Sequence, residues 1–154
     1  MPTIETLTQR IDPVSLEATG AQIFARFDAE PDTLCLPVVV DGRPVGLIER
    51  NDFLMKLAAP LGHALYLSRD ATHVMDPEPA VVQAGMRLET VCDVMLRAGP
   101  GQLMRGFVVT DGGKYHSVGT AASLLQAANQ IHQQRDAAMA EQSRRLNDTD
   151  RKST

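Results

Sequence analysis

Apolar residues along the chain follow strand-like runs and helix-like spacing in an order that occurs twice. LPVVVDGRPVGLIERNDFLMKLA, residues 36 to 58, opens on an apolar run, turns at Asp41 and Gly42, continues as a second apolar run and then changes to helical spacing. GFVVTDGGKYHSVGTAASLLQAA, residues 106 to 128, repeats that order with one extra glycine. Asp-Gly between apolar runs predicts a hairpin, because both central turn positions take positive φ. Upstream, DPVSLEATGAQIFARF (residues 12 to 27) and DPEPAVVQAGMRLETVCDVML (residues 76 to 96) each predict a short apolar strand after Asp-Pro and then an amphipathic helix. The helical period shows in Ile23, Phe24 and Phe27 of the first copy and in Leu88, Val91, Val94 and Met95 of the second.

Each copy therefore reads strand, helix, strand, strand, helix. The run Leu34 to Val40 is apolar on both faces apart from Pro37, which predicts cover on both sides. One such unit cannot bury two faces by itself. The pattern thus predicts an α+β chain of two pseudo-symmetric βαββα repeats packed through their sheets, with clefts where the repeats meet, followed by a long C-terminal helix. Repeat one takes residues 1–58 and repeat two residues 71–130. Residues 59–70 form a connector broken by Pro60 and Gly62, and short helical lead-ins fall at Ile4 to Leu7 and at Ala71 to Met75. From Thr120 a helix runs on without proline or glycine. Its portion 131–147 is coiled-coil-like, on a stripe of Leu124, Ala128, Ile131, Arg135, Ala138 and Gln142 that weakens after Ile131. Residues 148–154 are polar and predict a disordered tail.

Composition narrows the chemistry. The chain has 154 residues, 44% of them apolar, which is enough for a real core. A net charge of -4 and the absence of a Lys/Arg cluster exclude a nucleic-acid surface, which needs basic residues to release counterions. Cys35 and Cys92 lie in apolar segments and read as thiols of a reduced, cytoplasmic protein. His63, His73, His116 and His132 share no ligand spacing, so no metal is expected. The N-terminal stretch has no signal-peptide core, and no run nears the ~18 apolar residues of a membrane span. Neither a nucleophile with its base, nor paired carboxylates, nor a phosphate loop is visible, so the expectation is a protein that is not an enzyme.

Each copy closes on an apolar strand that leads into a helix through Gly, two apolar residues, Thr or Ser, two variable residues and Asp, and the tandem resembles the CBS domain pair over residues 3 to 130. Ala59-Pro60-Leu61-Gly62 and Val74-Met75-Asp76-Pro77 look more specifically like CBS pairs of bacterial signalling proteins, which precede cyclic-dinucleotide enzymes or sensor kinases. The segment QQRDAAMAEQSRRLN resembles the signalling helix that enters a histidine kinase. The resemblance implies a homodimer, an attached or partner kinase or cyclase output domain, and an adenosine-type ligand: AMP, ADP, ATP, adenosine or S-adenosylmethionine.

The family motif has physical sense. Its glycine lets a ligand approach the strand, its hydroxyl and the helix N-terminus suit a phosphate, and its aspartate accepts from both ribose hydroxyls. In copy one, Gly46, Leu47, Ile48, Glu49, Arg50, Asn51 and Asp52 fall on the motif; the ribose aspartate is Asp52 and the hydroxyl has become Glu49. A carboxylate repels phosphate unless Arg50, Arg43 or a cation intervenes. In copy two, Ser117, Val118, Gly119, Thr120, Ala121, Ala122 and Ser123 align; the hydroxyl is Thr120 and the aspartate has become Ser123. Each copy keeps the half that the other has lost. The candidate ligand-binding residues are Gly46, Leu47, Glu49, Arg50, Asp52, Val118, Thr120 and Ser123. A purely capping role stands beside this for Asn51, Asp52 and Thr120. The expected function is regulatory ligand sensing through the C-terminal helix, with a dimerisation or interaction module that binds no ligand as the alternative.

Overall fold

The computed structural model describes residues 2 to 152. The last two residues of the expected tail, Ser153 and Thr154, lie outside them. The first repeat contains α1 (Gly20–Ala29), β1 (Cys35–Val40), β2 (Arg43–Glu49) and α2 (Arg50–Ala58). A short helix α3 (Gly62–Tyr66) and a 3₁₀ turn (Ala71–His73) make the connection. The second repeat contains β3 (Ala80–Gln83), α4 (Leu88–Ala98), α5 (Pro100–Arg105), β4 (Phe107–Asp111), β5 (Lys114–Gly119) and α6 (Ala121–Lys152). The lead-in near the N-terminus is a 3₁₀ turn, Ile4–Leu7.

Both hairpins are present, and they are superposable in register. β1 pairs antiparallel with β2, with a bulge after Val38; β4 pairs antiparallel with β5, with a bulge after Val109. Val38 stands opposite Gly46 and Val109 opposite Ser117, so the two bulges occupy equivalent places. The turns differ by one position. Asp41 (φ 52°) and Gly42 (φ 78°) take the positive-φ sites of the first, whereas Gly112 (φ 60°) and Gly113 (φ 82°) take those of the second, which leaves Asp111 in the strand.

The repeats diverge at their first strand. β3 runs parallel to β4 and makes a three-stranded sheet. Its counterpart in the first repeat is reduced to one residue: Val14 forms an isolated parallel bridge to Val38, its amide donating to the Pro37 carbonyl at 2.9 Å. Pro13 brings no amide to that edge, and the chain turns at once through a bond from the Ala18 amide to the Ser15 carbonyl. A second difference is α5, which starts on Pro100 after Gly99 (φ 96°) and has no helical counterpart between α1 and β1.

Three apolar clusters hold the molecule. Ile23, Phe27, Leu36, Val38, Ile48, Phe53 and Leu57 form the core of the first repeat, joined by Ala71 and Val74 from the lead-in to the second. Val82, Leu88, Val91, Met95, Phe107, Val109, Leu124 and Ala127 form the other, joined by Ile4 from the N-terminal lead-in. Each lead-in thus packs on the opposite repeat. Cys35, Leu47, Val108 and Val118 form the third cluster, sealed between the sheets. Double cover of the Leu34 to Val40 run follows: Leu36 and Val38 face the helices, and Cys35 faces the other sheet. Phe24 and Val94, though in helical period with the core, remain exposed.

The last helix is continuous to Lys152, through the polar residues 148–152. Nothing in them stops a helix, since neither proline nor glycine occurs there. Leu124 and Ala127 are buried and Ile131 packs partly against the second core, but every side chain from His132 to Leu146 is exposed.

Candidate functional site

Two adjoining hollows open where the repeats meet. The larger, about 200 Å³, has a wall of Leu7, Gln9 and Ile11 from the N-terminal lead-in, a wall of Asp32, Leu34 and Cys35, and a floor of Val118, Thr120, Ala122, Ser123 and Gln126 from β5 and α6. The smaller, about 140 Å³, shares Leu34, Cys35, Thr120 and Ala122 and adds Glu49, Asn51, Met104, Gly106 and Ala121. Val118, Thr120 and Ser123 of the sequence-derived set therefore line one cleft, and Glu49 lies next door.

The root of α6 shapes this cleft. The Ser123 side chain accepts from the Thr120 amide at 3.1 Å, which is half of a capping box and uses the hydroxyl that stands where the motif has aspartate. The Thr120 amide is thereby satisfied. Cys35 donates its thiol to the Arg105 carbonyl at 3.3 Å, and burial, with the Glu49 charge adding to it, pushes its pKa up to about 12. It stays protonated and unreactive.

Copy one of the motif is arranged differently. Glu49 caps α2, its two carboxylate oxygens accepting from the Asn51 amide at 3.0 Å and the Asp52 amide at 2.7 Å. The cap is thus Glu49, two residues before Asn51 and three before Asp52, the caps that residue preference suggests, and the helix starts at Arg50. Arg50 lines neither hollow. Its guanidinium turns back to the carbonyls of Thr33 and Phe27, each at 2.8 Å, and of Glu30, and lies 4.7 Å from the centre of the Phe27 ring. Asp52 is exposed, its carboxylate 3.4 Å from Lys56 one turn on. Leu47 is buried between the sheets, and its amide and carbonyl are bonded to Asp76 at 3.1 and 2.8 Å.

Gly46 likewise lines neither hollow. A Cβ there would stand 2.4 Å from the Met75 sulfur and 3.1 Å from the Asp76 carbonyl oxygen, so the lead-in to the second repeat already fills the space. Close approach does require glycine at this position, but the approaching group is the chain itself. Arg105 reaches Asp76 at 3.9 Å beside it. The motif could not have revealed Gln9, Asp32 and Gln126, which lie outside it. The signal available was the pseudo-symmetry: the lead-in that packs on Leu47 in one half has its equivalent, Gln9, bridged to Val118 in the other.

No family model matches the sequence, and no curated protein matches it. Solved structures do. A protein assigned to acetoin utilization, AcuB of Vibrio cholerae, superposes with a TM-score of 0.67 at 14% identity, over 89% of this chain and 97% of that one. The CBS-pair protein CBSX2 of Arabidopsis thaliana gives 0.64 at 22% identity over 85% and 96%. CBSX2 in complex with AMP gives 0.65 at 22% identity over 86% and 99%. With two hairpins in equivalent register, sheets sealed face to face and lead-ins exchanged between the halves, this chain has the fold of a CBS domain pair.

Proposed function

We propose that the chain is a regulatory CBS-pair module that binds an adenosine-type ligand in the Thr120 cleft and passes occupancy through α6 to an output module such as a kinase or cyclase. Residues 1–58 and 71–130 are its two repeats, 59–70 the connector and 131–147 the signalling helix. The observation that carries this reading is the position of the cleft. Thr120, Ala122, Ser123 and Gln126 belong to the root of α6, so whatever fills the hollow touches the helix that leaves the domain. The AMP complex of the structural neighbour CBSX2 supports the choice of an adenosine-type ligand. Such a ligand shifts the helix only in so far as it binds one arrangement better than another.

The test is thermal melting against AMP, ADP, ATP, adenosine, S-adenosylmethionine and cyclic dinucleotides. A native-state ligand raises the melting temperature in proportion to ln(1 + [L]/Kd). A saturable shift that Thr120→Val abolishes and Asp52→Ala leaves in place is the expected result. No shift with any of them, from a folded protein, sinks the sensor.

A second reading, a homodimerisation or interaction module, is favoured by one feature. Leu125, Met139 and Leu146 lie exposed on α6, and a groove of about 630 Å³ between α4 and α6 is lined in part by Leu96, Ala128 and Ile131. Concentration-dependent sedimentation that ligands do not alter would select it.

A further inference from the structure

Both hollows at the root of α6 carry a carboxylate residue, Asp32 in one and Glu49 in the other, and among the described residues no lysine, arginine or histidine lines either. The basic residues that the motif region offers are engaged elsewhere. Arg50 is held by three backbone carbonyls, Lys56 faces Asp52, and Arg43 lies at the far end of β2, opposite Val40 beside the turn.

The amides that could hold a phosphate at α2 are also occupied. Those of Asn51 and Asp52 already bond the Glu49 carboxylate, which acts as a built-in anion at that helix N-terminus. Of the two arginines next to lining residues, Arg105 reaches Asp76 and Arg10 donates to the His116 carbonyl, so what the lining itself offers an anion is the N-terminus of α6. A helix terminus at a surface contributes about twofold to fivefold in affinity. Two like unit charges about 8 Å apart, at an effective dielectric of about 20, repel by the equivalent of about thirtyfold. Repulsion therefore wins. The Glu49 charge reaches the shared wall, where it opposes ionisation of Cys35.

We infer that the cleft selects by charge, taking an uncharged or cationic nucleoside and rejecting phosphorylated ones. This rests on the ligand-binding reading above and specifies the class of ligand. The polar groups available to such a ligand are neutral or acidic: Gln9, Gln126, the Thr120 hydroxyl and the Asp32 carboxylate. They suit the hydroxyls of a ribose and the amino group of a base, or an attached ammonium or sulfonium.

The experiment is calorimetric titration of the full chain at low ionic strength with adenosine, S-adenosylmethionine and AMP, repeated on Asp32→Asn and Glu49→Gln. Asp32 is exposed in a loop, and glutamine at position 49 retains an acceptor for the α2 cap, so folding is checked by melting in the same samples. The expected result is binding of adenosine and S-adenosylmethionine at least about tenfold tighter than AMP, with the ratio falling in each variant and by about tenfold when the two substitutions are combined. AMP binding as tightly as adenosine, or a ratio that neither substitution moves, overturns charge selection and leaves the ligand-binding reading standing. Binding of none of the three overturns charge selection, and the wider panel of ligands then decides whether the ligand-binding reading falls with it.

Discussion

The two copies of the strand-to-helix corner occupy equivalent places in register and solve the same packing problem with opposite chemistry. In the first, Met75 of the incoming lead-in lies against Gly46. In the second, Ser117 stands at the equivalent of Gly46, and the lead-in presents Thr8, whose hydroxyl shares a hydrogen bond of 2.6 Å with Ser117. One corner sets the Met75 side chain against a glycine, and the other joins two small side chains through a hydrogen bond. The helix starts differ as well. Glu49 closes α2 with its own carboxylate, whereas Thr120 lines a hollow and its amide donates to the Ser123 hydroxyl. A duplicated motif can therefore keep its fold in both places while one copy gives up its space to packing.

The comparison can be broken at its glycines first. A Cβ on Gly119 would meet the ring of Phe107 at 2.0 Å, and that ring is fully buried, so Gly119→Ala costs about 3 kcal/mol. Gly46→Ala meets the flexible thioether of Met75 and costs about 1 kcal/mol. Urea denaturation of both variants checks the order; equal losses would mean that the two corners are equally rigid.

Next in size is Arg50→Met, whose counterpart in the second copy is Ala121. It removes charged hydrogen bonds to Phe27, Glu30 and Thr33 while keeping a stem over the Phe27 ring, and it lowers stability by about 2 kcal/mol. No loss in the same assay would show that the carbonyls find other partners. The smallest effect belongs to the cap. Glu49→Ala costs about 1 kcal/mol by freeing the Asn51 and Asp52 amides, while Ser123→Ala costs less, because it frees one amide beside an open cleft. Equal melting temperatures for the two would erase the asymmetry between the helix starts.

Much of the fold could be read from periodicity. Both hairpins, the doubly covered strand and the long terminal helix follow from runs of like residues, where local pattern and tertiary burial agree. The exceptions come from contacts distant in sequence. Val14 was readable as part of a strand, yet Pro13 and the turn at Ser15 leave it a single bridge. At the corner, the motif gave the right frame for Glu49 and Thr120 but could not tell that Met75 fills the space at Gly46 or that Arg50 reaches back to α1. Both outcomes depend on which segment arrives from elsewhere. Asp32 and Gln9 were illegible for the same reason, being loop and lead-in residues that only the packing of one repeat on the other brings together.

The unaccompanied length of α6 has a mechanical side. A helix of 32 residues is about 48 Å long, and among its described side chains those packed against the core, Leu124, Ala127 and Ile131, lie in the first three turns. A tilt of about 5° at such a root carries the far end through about 4 Å, the span of a hydrogen bond and more. A change at the root too small to reshape the cleft is therefore a large displacement at the tip.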